Sequence, residues 1–298
     1  MSKGILFGIA AYALWGLFPI YWKALQSVPS SEILCHRMIW SLLFLLIVLT
    51  YRDGWSQLLS RLKSRRTVLT SVVSACLLSV NWLTFIWSVN SGYVVEASLG
   101  YFINPLVSVL LGVMFLRERP RPWQWVAIAI ATIGVLYLTF GYGSFPWRAL
   151  TLAFSFGLYG LFRKTAALSS LEGLSFEMVI MFLPALVYLS FLEYEGVAAF
   201  GHAGLSMNVL LAFSGVTTAL PLLLFGSAAK RITLTNLGLL QYIAPTSHFL
   251  LGVLLYGEEL TSVRATGFAI VWASLVIYSV EGATARRRRV RQAAPFHA

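Results

Sequence analysis

Charge is what this chain has least of. Asp, Glu, Lys and Arg make up 11% of its 298 residues, and Asp53 is its one aspartate. A soluble domain carries about 25% charged residues, so that class is excluded. A single aspartate also excludes a close pair of intramembrane aspartates. The motifs HExxH, GxxxxGK[ST] and GxSxG are absent, which removes the common signatures of zinc proteases, phosphate-loop hydrolases and serine hydrolases. Without an ATP-hydrolysing module, any active transport must draw on an ion or solute gradient. The two cysteines, Cys35 and Cys76, sit among apolar neighbours without metal-ligand spacing. They read as packing residues rather than a disulfide or metal site, and no cofactor or metal is expected.

What the chain has in abundance is apolar length. Hydrophobic residues make up 58% of it and the mean hydropathy is +0.79. Runs of about 20 residues, each long enough to cross some 30 Å of hydrocarbon as a helix, follow one another almost without pause. A transmembrane barrel would alternate, and SLLFLLIVLT (Ser41 to Thr50) does not. The first run, behind Lys3, continues through Trp15, Pro19 and Trp22 without a small-residue cleavage site, so it reads as a retained span. The expected fold class is therefore an all-α integral membrane protein of ten transmembrane helices. Their centres fall near Tyr12, Leu42, Ser79, Pro105, Ala131, Phe154, Ala185, Leu220, Phe249 and Trp272.

Basic residues assign an orientation. All 22 Lys and Arg residues except Lys23, Arg37, Arg148 and Arg264 fall in one alternating set of loops and ends. The positive-inside rule then places both termini in the cytoplasm. The net charge of +11 thus reads as a topology signal, and no nucleic-acid partner is expected. The run Arg286 to Arg289 with Arg291 is explained by topology, with anionic lipid headgroups as its alternative partner.

The chain also repeats itself. A shift of 140 positions carries Leu99, Ile103, Pro105, Gly112 and Glu118 onto Leu239, Ile243, Pro245, Gly252 and Glu258, and ALWGLF from Ala13 is echoed by GLYGLF from Gly157. Five spans per half is an odd number, so the halves form a 5+5 inverted repeat: residues 1–142, then 143–283, with a basic tail at 284–298. Two equivalent halves that exchange conformations expose an interfacial site to each side in turn.

Candidate site residues follow from helical spacing. Pro105 and Pro245 each remove an intrahelical hydrogen bond and are expected to kink their helices near the midplane. Tyr101 and Asn104 share a face with Ala97 and Ser108, and Gln241 and His248 share the matching face of the repeat. Polar side chains are expensive against lipid, so these point into a cavity or form ordinary interhelical hydrogen bonds. Asn81 and Phe85 share a face of the third span, while Trp15 and its repeat partner Tyr159 add aromatic groups. Together they describe an amphipathic pocket for a small organic molecule. Glu96 and Arg37, near outer helix ends, are candidates for charge recognition or ion coupling, with simple interfacial placement as the alternative. His36 reads as interfacial, Trp22 as an anchor in the headgroup belt, and Glu118 and Glu258 as architectural caps.

The stretches WGLFPIYWKAL, HRMIWS, NWLTFIWSVNSGYVVEASLGYFINPL and LGLLQYIAPTSHFLLGVLLYGEE carry a family resemblance. Over nearly its whole length the chain resembles the EamA-type transporters of the drug/metabolite transporter superfamily, in the RarD branch of bacterial inner-membrane permeases. The resemblance implies a ten-helix inverted-repeat permease with a central cavity walled by both halves. It also implies export of small metabolites or drugs, the branch name being attached to chloramphenicol sensitivity or resistance. The function expected is a secondary transporter of a small amphipathic solute, with membrane lipids as surroundings and no obligate protein partner evident. A channel-like facilitator is the first alternative, and an intramembrane enzyme or lipid scramblase the second.

Overall fold

The computed structural model describes residues 2–91, 93–140, 145–257 and 261–293. Among them every regular element is helical, as the hydrocarbon demands: a helix satisfies its backbone N–H and C=O groups internally, whereas an open strand cannot. The first half comprises α1 (Lys3–Ala24), α2 (Ser30–Tyr51), the short α3 (Trp55–Leu62), α4 (Arg65–Asn90), α5 (Val94–Leu116) and α6 (Pro122–Phe140). The second comprises α7 (Trp147–Thr165), α8 (Ser170–Tyr194), α9 (Leu205–Ala229), α10 (Leu234–Gln241), α11 (Ile243–Leu250) and α12 (Ser262–Ala293). A π-helical turn, Leu251–Leu255, continues α11. Glu258 lies outside the described residues, as do the side chains of Arg286 to Arg289 and Arg291.

Nine spans among the described residues are long and apolar enough to cross a membrane, with α10, α11 and the π turn counting as one, Leu234–Leu255. This is a multi-pass membrane protein. The expected sixth span, α7, is not among the nine, although 19 residues reach about 28 Å. Arg148 in its first turn and Arg163 and Lys164 in its last depress its apolarity. All three are held by protein partners rather than by lipid, as described below.

The two symmetric prolines have different outcomes. Helix α5 continues through Pro105, whereas the corresponding span breaks at Tyr242 between α10 and α11. Pro245 has no N–H to give the Gln241 carbonyl, and the break falls beside that residue.

Helix contacts recur in matched sets between the two halves of the chain. α1 packs on α9 as α4 packs on α7; α2 packs on α9 as α4 packs on α8; α1 packs on α10 and α11 as α7 packs on α5. The pairs α2 with α8, α5 with α10 and α6 with α12 are their own counterparts under exchange of halves.

Hydrogen bonds gather one set of loops at what we call the basic end. Glu118, after α5, accepts from the backbone N–H groups of Leu234 and Thr235 at 2.6 and 2.9 Å and from Thr235 Oγ1 at 2.8 Å, and so caps α10. Arg61 donates to Glu172 at 3.1 Å and to the Ala167 carbonyl at 2.7 Å. Lys164 donates to the carbonyls of Ala229 and Ile232, and Lys230 to those of Ala166 and Leu168. Arg121 donates to Glu281 at 2.6 Å. Gly4 and Gly8 let α1 lie close against Ile232 and Leu240 at this end. At the opposite end Glu32 accepts from the N–H groups of Ala199 and Phe200 at 2.8 and 3.2 Å, folding the 195–204 segment over the start of α2.

Candidate functional site

A cavity of about 910 Å³ lies between the halves. It is walled by α1, α2, α4, α5 and α6 from the first half and by α7, α9, α10, α11 and α12 from the second. Its lining runs from Tyr12, Asn104 and Gln241, at mid-span, to Trp22, Tyr256 and Thr261, at the end opposite the basic loops. Beneath it, towards the basic end, the rings of Tyr12, Trp15, Phe156 and Tyr159 converge on Phe225 with centroids 5.1–6.3 Å away. Phe225 is completely buried, and this aromatic plug together with the cross-linked loops closes that end.

Seven of the eight expected substrate-site residues line the cavity: Trp15, Asn81, Phe85, Tyr101, Asn104, Gln241 and His248. Tyr101 bridges two of the others, its ring 6.0 Å from Phe85 and 6.4 Å from His248, both edge-on. His248 Nε2 donates to the Trp15 carbonyl at 2.9 Å. Asn81 Nδ2 donates to the Leu152 carbonyl at 2.9 Å and to Ser155 Oγ at 3.0 Å, so it also clamps α4 to α7. Asn104 Oδ1 is a buried acceptor with no hydrogen bond among the described residues, whereas the Gln241 amide lies within reach of the Tyr12 hydroxyl and donates to Ser108 Oγ at 3.5 Å. An acceptor left as Asn104 Oδ1 is costs free energy in a dry interior and awaits a donor.

Tyr159 does not line the cavity. Its hydroxyl donates to Glu177 Oε2 at 3.1 Å, and Arg163 donates to Glu177 Oε1 at 3.2 Å and to the Ser170 carbonyl at 2.9 Å. Tyr159, Arg163 and Glu177 are each at most 2% exposed, which makes this a buried ion pair with a phenol attached. It sits on the basic-end side of the plug. Repeat symmetry placed Tyr159 opposite Trp15, but α7 carries Arg163 one turn on, where α1 carries Pro19.

The two ionisable candidates part company. Glu96, 1% exposed, accepts from the Arg148 backbone N–H at 2.9 Å and from its Nη1 at 2.7 Å. Arg148 also lies 3.5 Å from the Tyr93 ring centroid, so both charges are held at the end of the bundle. Arg37 instead lines the cavity, with its Cζ 4.9 Å from both the Trp22 and Trp82 rings.

Trp22, expected as an interfacial anchor, also lines the cavity near its mouth, where Arg37 lies 4.9 Å from its ring. Trp82 was missed; its only signal was adjacency to Asn81. His36, read as interfacial, is 5% exposed under the Phe200 ring, 4.9 Å away, because the Glu32-anchored loop covers it.

A bundle of apolar helices around a one-sided, aromatic cavity is the architecture of a membrane transporter. Comparison with known proteins makes the assignment specific. Residues 2–140 match the model of the EamA-like transporter family. The chain is 46% identical to Protein RarD of Streptomyces exfoliatus, covering 97% of this chain and 92% of that one. It is also 46% identical to the uncharacterized transporter YojE of Bacillus subtilis, over 93% and 94%. With Protein RarD of Escherichia coli K12 it shares 42% identity over 96% and 97%. A solved crystal structure has the same fold, with a TM-score of 0.72 at 18% identity, over 94% of this chain and 98% of that one. The chain belongs to the EamA-like transporter family, and within the drug/metabolite transporter superfamily it is of the RarD type.

Proposed function

We propose that this protein is a secondary transporter that exports a small amphipathic solute across the bacterial inner membrane by alternating access. The observation that carries the reading is the cavity itself: about 910 Å³, bounded by helices of both halves and closed at one end. An aromatic wall with a few polar groups suits an organic molecule with an apolar body and hydrogen-bond donors.

In this reading α7 completes the count as the sixth of ten spans, and residues 1–142 and 143–283 form the 5+5 inverted repeat. The exchange-symmetric helix contacts support it, because an inverted repeat requires each contact to recur with the halves swapped. The basic end, rich in Lys and Arg, faces the cytoplasm together with both termini. The structure then corresponds to the outward-facing state. The carrier returns to load its next solute when the Glu118, Arg163–Glu177 and Lys230 contacts open and their counterparts at the other end close. Trp15, Asn81, Phe85, Tyr101, Asn104, Gln241 and His248 form the substrate site, with Pro105 and Pro245 as flexing points of the two central helices. Tyr159 acts beneath it, in the inner closure.

The test is solute flux into or out of proteoliposomes, with Asn104→Leu and Gln241→Leu as site variants. Flux that is reduced by both substitutions while the folded yield is unchanged supports the reading. A folded wild type that moves no solute under any imposed gradient sinks it, and accumulation insensitive to every ion gradient favours a channel-like facilitator instead.

A further inference from the structure

Helices α2 and α8 begin 140 positions apart, at Ser30 and Ser170, and both carry a glutamate as their third residue, Glu32 and Glu172. Arg37 and Glu177 are therefore repeat equivalents, the eighth residue of each helix. The repeat treats their charges differently. Glu177 is neutralised by Arg163 at 3.2 Å. Arg37 has no carboxylate partner among the described residues.

What surrounds Arg37 is neutral. Its Nε donates to Thr218 Oγ1 at 2.9 Å, and the Trp22 and Trp82 rings lie 4.9 Å from its Cζ. Cation–π contacts engage the face of a guanidinium and leave its edge available. Thr218 takes one of the five N–H groups, and the terminal ones have no protein acceptor among the described residues. No Asp, Glu or Lys is among the described residues lining the cavity, so Arg37 gives it a net positive charge. At its mouth a second cation, Lys23, sits 3.9 Å above the ring of Tyr256, which also lines the cavity. An uncompensated charge in such a place is expensive, and the equivalent position in the other half shows that the fold can pair it.

We propose, resting on the reading of this cavity as the substrate site, that the transported solute is an organic monoanion: a carboxylate on a flat apolar body. A guanidinium fork matches a planar carboxylate through two parallel hydrogen bonds, and Arg37, the one Lys or Arg among the described lining residues, balances one negative charge while Lys23 stays on the Tyr256 ring at the mouth. A doubly charged phosphate would leave a net negative charge among tryptophan rings. The same rings that hold Arg37 offer stacking surface to the body of the solute. A solute N–H group, where present, satisfies Asn104 Oδ1.

The experiment is ligand-induced thermal stabilisation of the detergent-purified full-length protein with three matched probes: 3-phenylpropionate, its methyl ester and 3-phenylpropylamine. The expected result is a rise in unfolding temperature with the acid and little with the ester or amine. Arg37→Gln should weaken the acid at least about tenfold, in keeping with loss of a charge-assisted pair. Arg37→Lys, which keeps the charge and loses the fork, should fall between. Equal or stronger stabilisation by the amine or ester, no stabilisation by any probe into the millimolar range, or undiminished binding of the acid in Arg37→Gln and Arg37→Lys overturns the proposal. Stabilisation by the amine alone would overturn the anion assignment while leaving the cavity as a substrate site, and the flux assay judges the transporter reading separately.

Discussion

His248 Nε2 donates to the carbonyl of Trp15 at 2.9 Å, and Trp15 is the residue four positions before Pro19. In an uninterrupted helix that carbonyl would accept from the N–H of residue 19, which proline lacks. Histidine from the second half thus completes a helix of the first, and the seam between them runs along the cavity. This bond is also what holds the imidazole edge-on to Tyr101.

His248→Ala should therefore destabilise the protein by about 0.6–2 kcal/mol, the range for an interhelical hydrogen bond whose loss orphans a carbonyl. Pro19→Ala restores a local donor for Trp15, so the cost of His248→Ala should shrink in that background. Thermal unfolding of the two single variants and the double variant measures the coupling; strictly additive effects would disconnect His248 from the proline gap.

Glu177→Gln leaves Arg163 buried without its counter-charge and should cost about 3–5 kcal/mol. Replacing both partners, Arg163→Met with Glu177→Leu, should be much milder because no buried charge remains. The order of the two unfolding temperatures checks this, and a double variant as unstable as Glu177→Gln would contradict it.

Glu118 caps α10 from the loop after α5, and its carboxylate is also favoured by the positive end of the helix dipole. Glu118→Ala should cost about 1–2 kcal/mol, and Glu118→Gln less, since an amide oxygen still accepts one N–H. An unchanged unfolding temperature in Glu118→Ala would mean that the basic end closes without this contact.

Lys230, in the loop after α9, is pushed down to about 8 from an ordinary 10.5 by burial first, then by the positive charges of Arg163 and Arg61, against a smaller opposing pull from Glu172. The folded protein therefore releases this proton before the unfolded chain does. Its contribution makes stability rise with pH between about 8 and 10.5, because the unfolded state holds more protons there. Lys230→Met should flatten the pH dependence of the unfolding temperature in that window. Wild-type and variant curves that stay parallel across it would refute the assignment.

Much of the candidate site was legible from helical spacing. Tyr101 and Asn104 on one helix, and Gln241 and His248 on its repeat, share inward faces because a polar group cannot face lipid cheaply. Tyr159 shows where symmetry misleads. It is the repeat partner of Trp15, but with Arg163 one turn away and Glu177 on the next helix its hydroxyl has a nearer partner than any solute. Trp22 shows the converse, since its place at a span end suits a headgroup anchor, and only the approach of Arg37 from α2 shows that its ring also faces the cavity.

By itself the sequence determined that the chain lives in a membrane, that it is helical and roughly where its spans lie, and it carries residues that match across a shift of 140 positions. Each of these rests on local or periodic properties: apolar length, the backbone's need for internal hydrogen bonds, and a shift that matches residues one to one. Only the tertiary structure decided which charges are paired. Glu96 meets Arg148 across 52 positions of chain, Glu118 meets Thr235 across 117, and Arg37 meets Thr218 across 181. Whether a buried charge is balanced depends on what another helix brings within a few ångströms of it, and no periodicity along one helix carries that information.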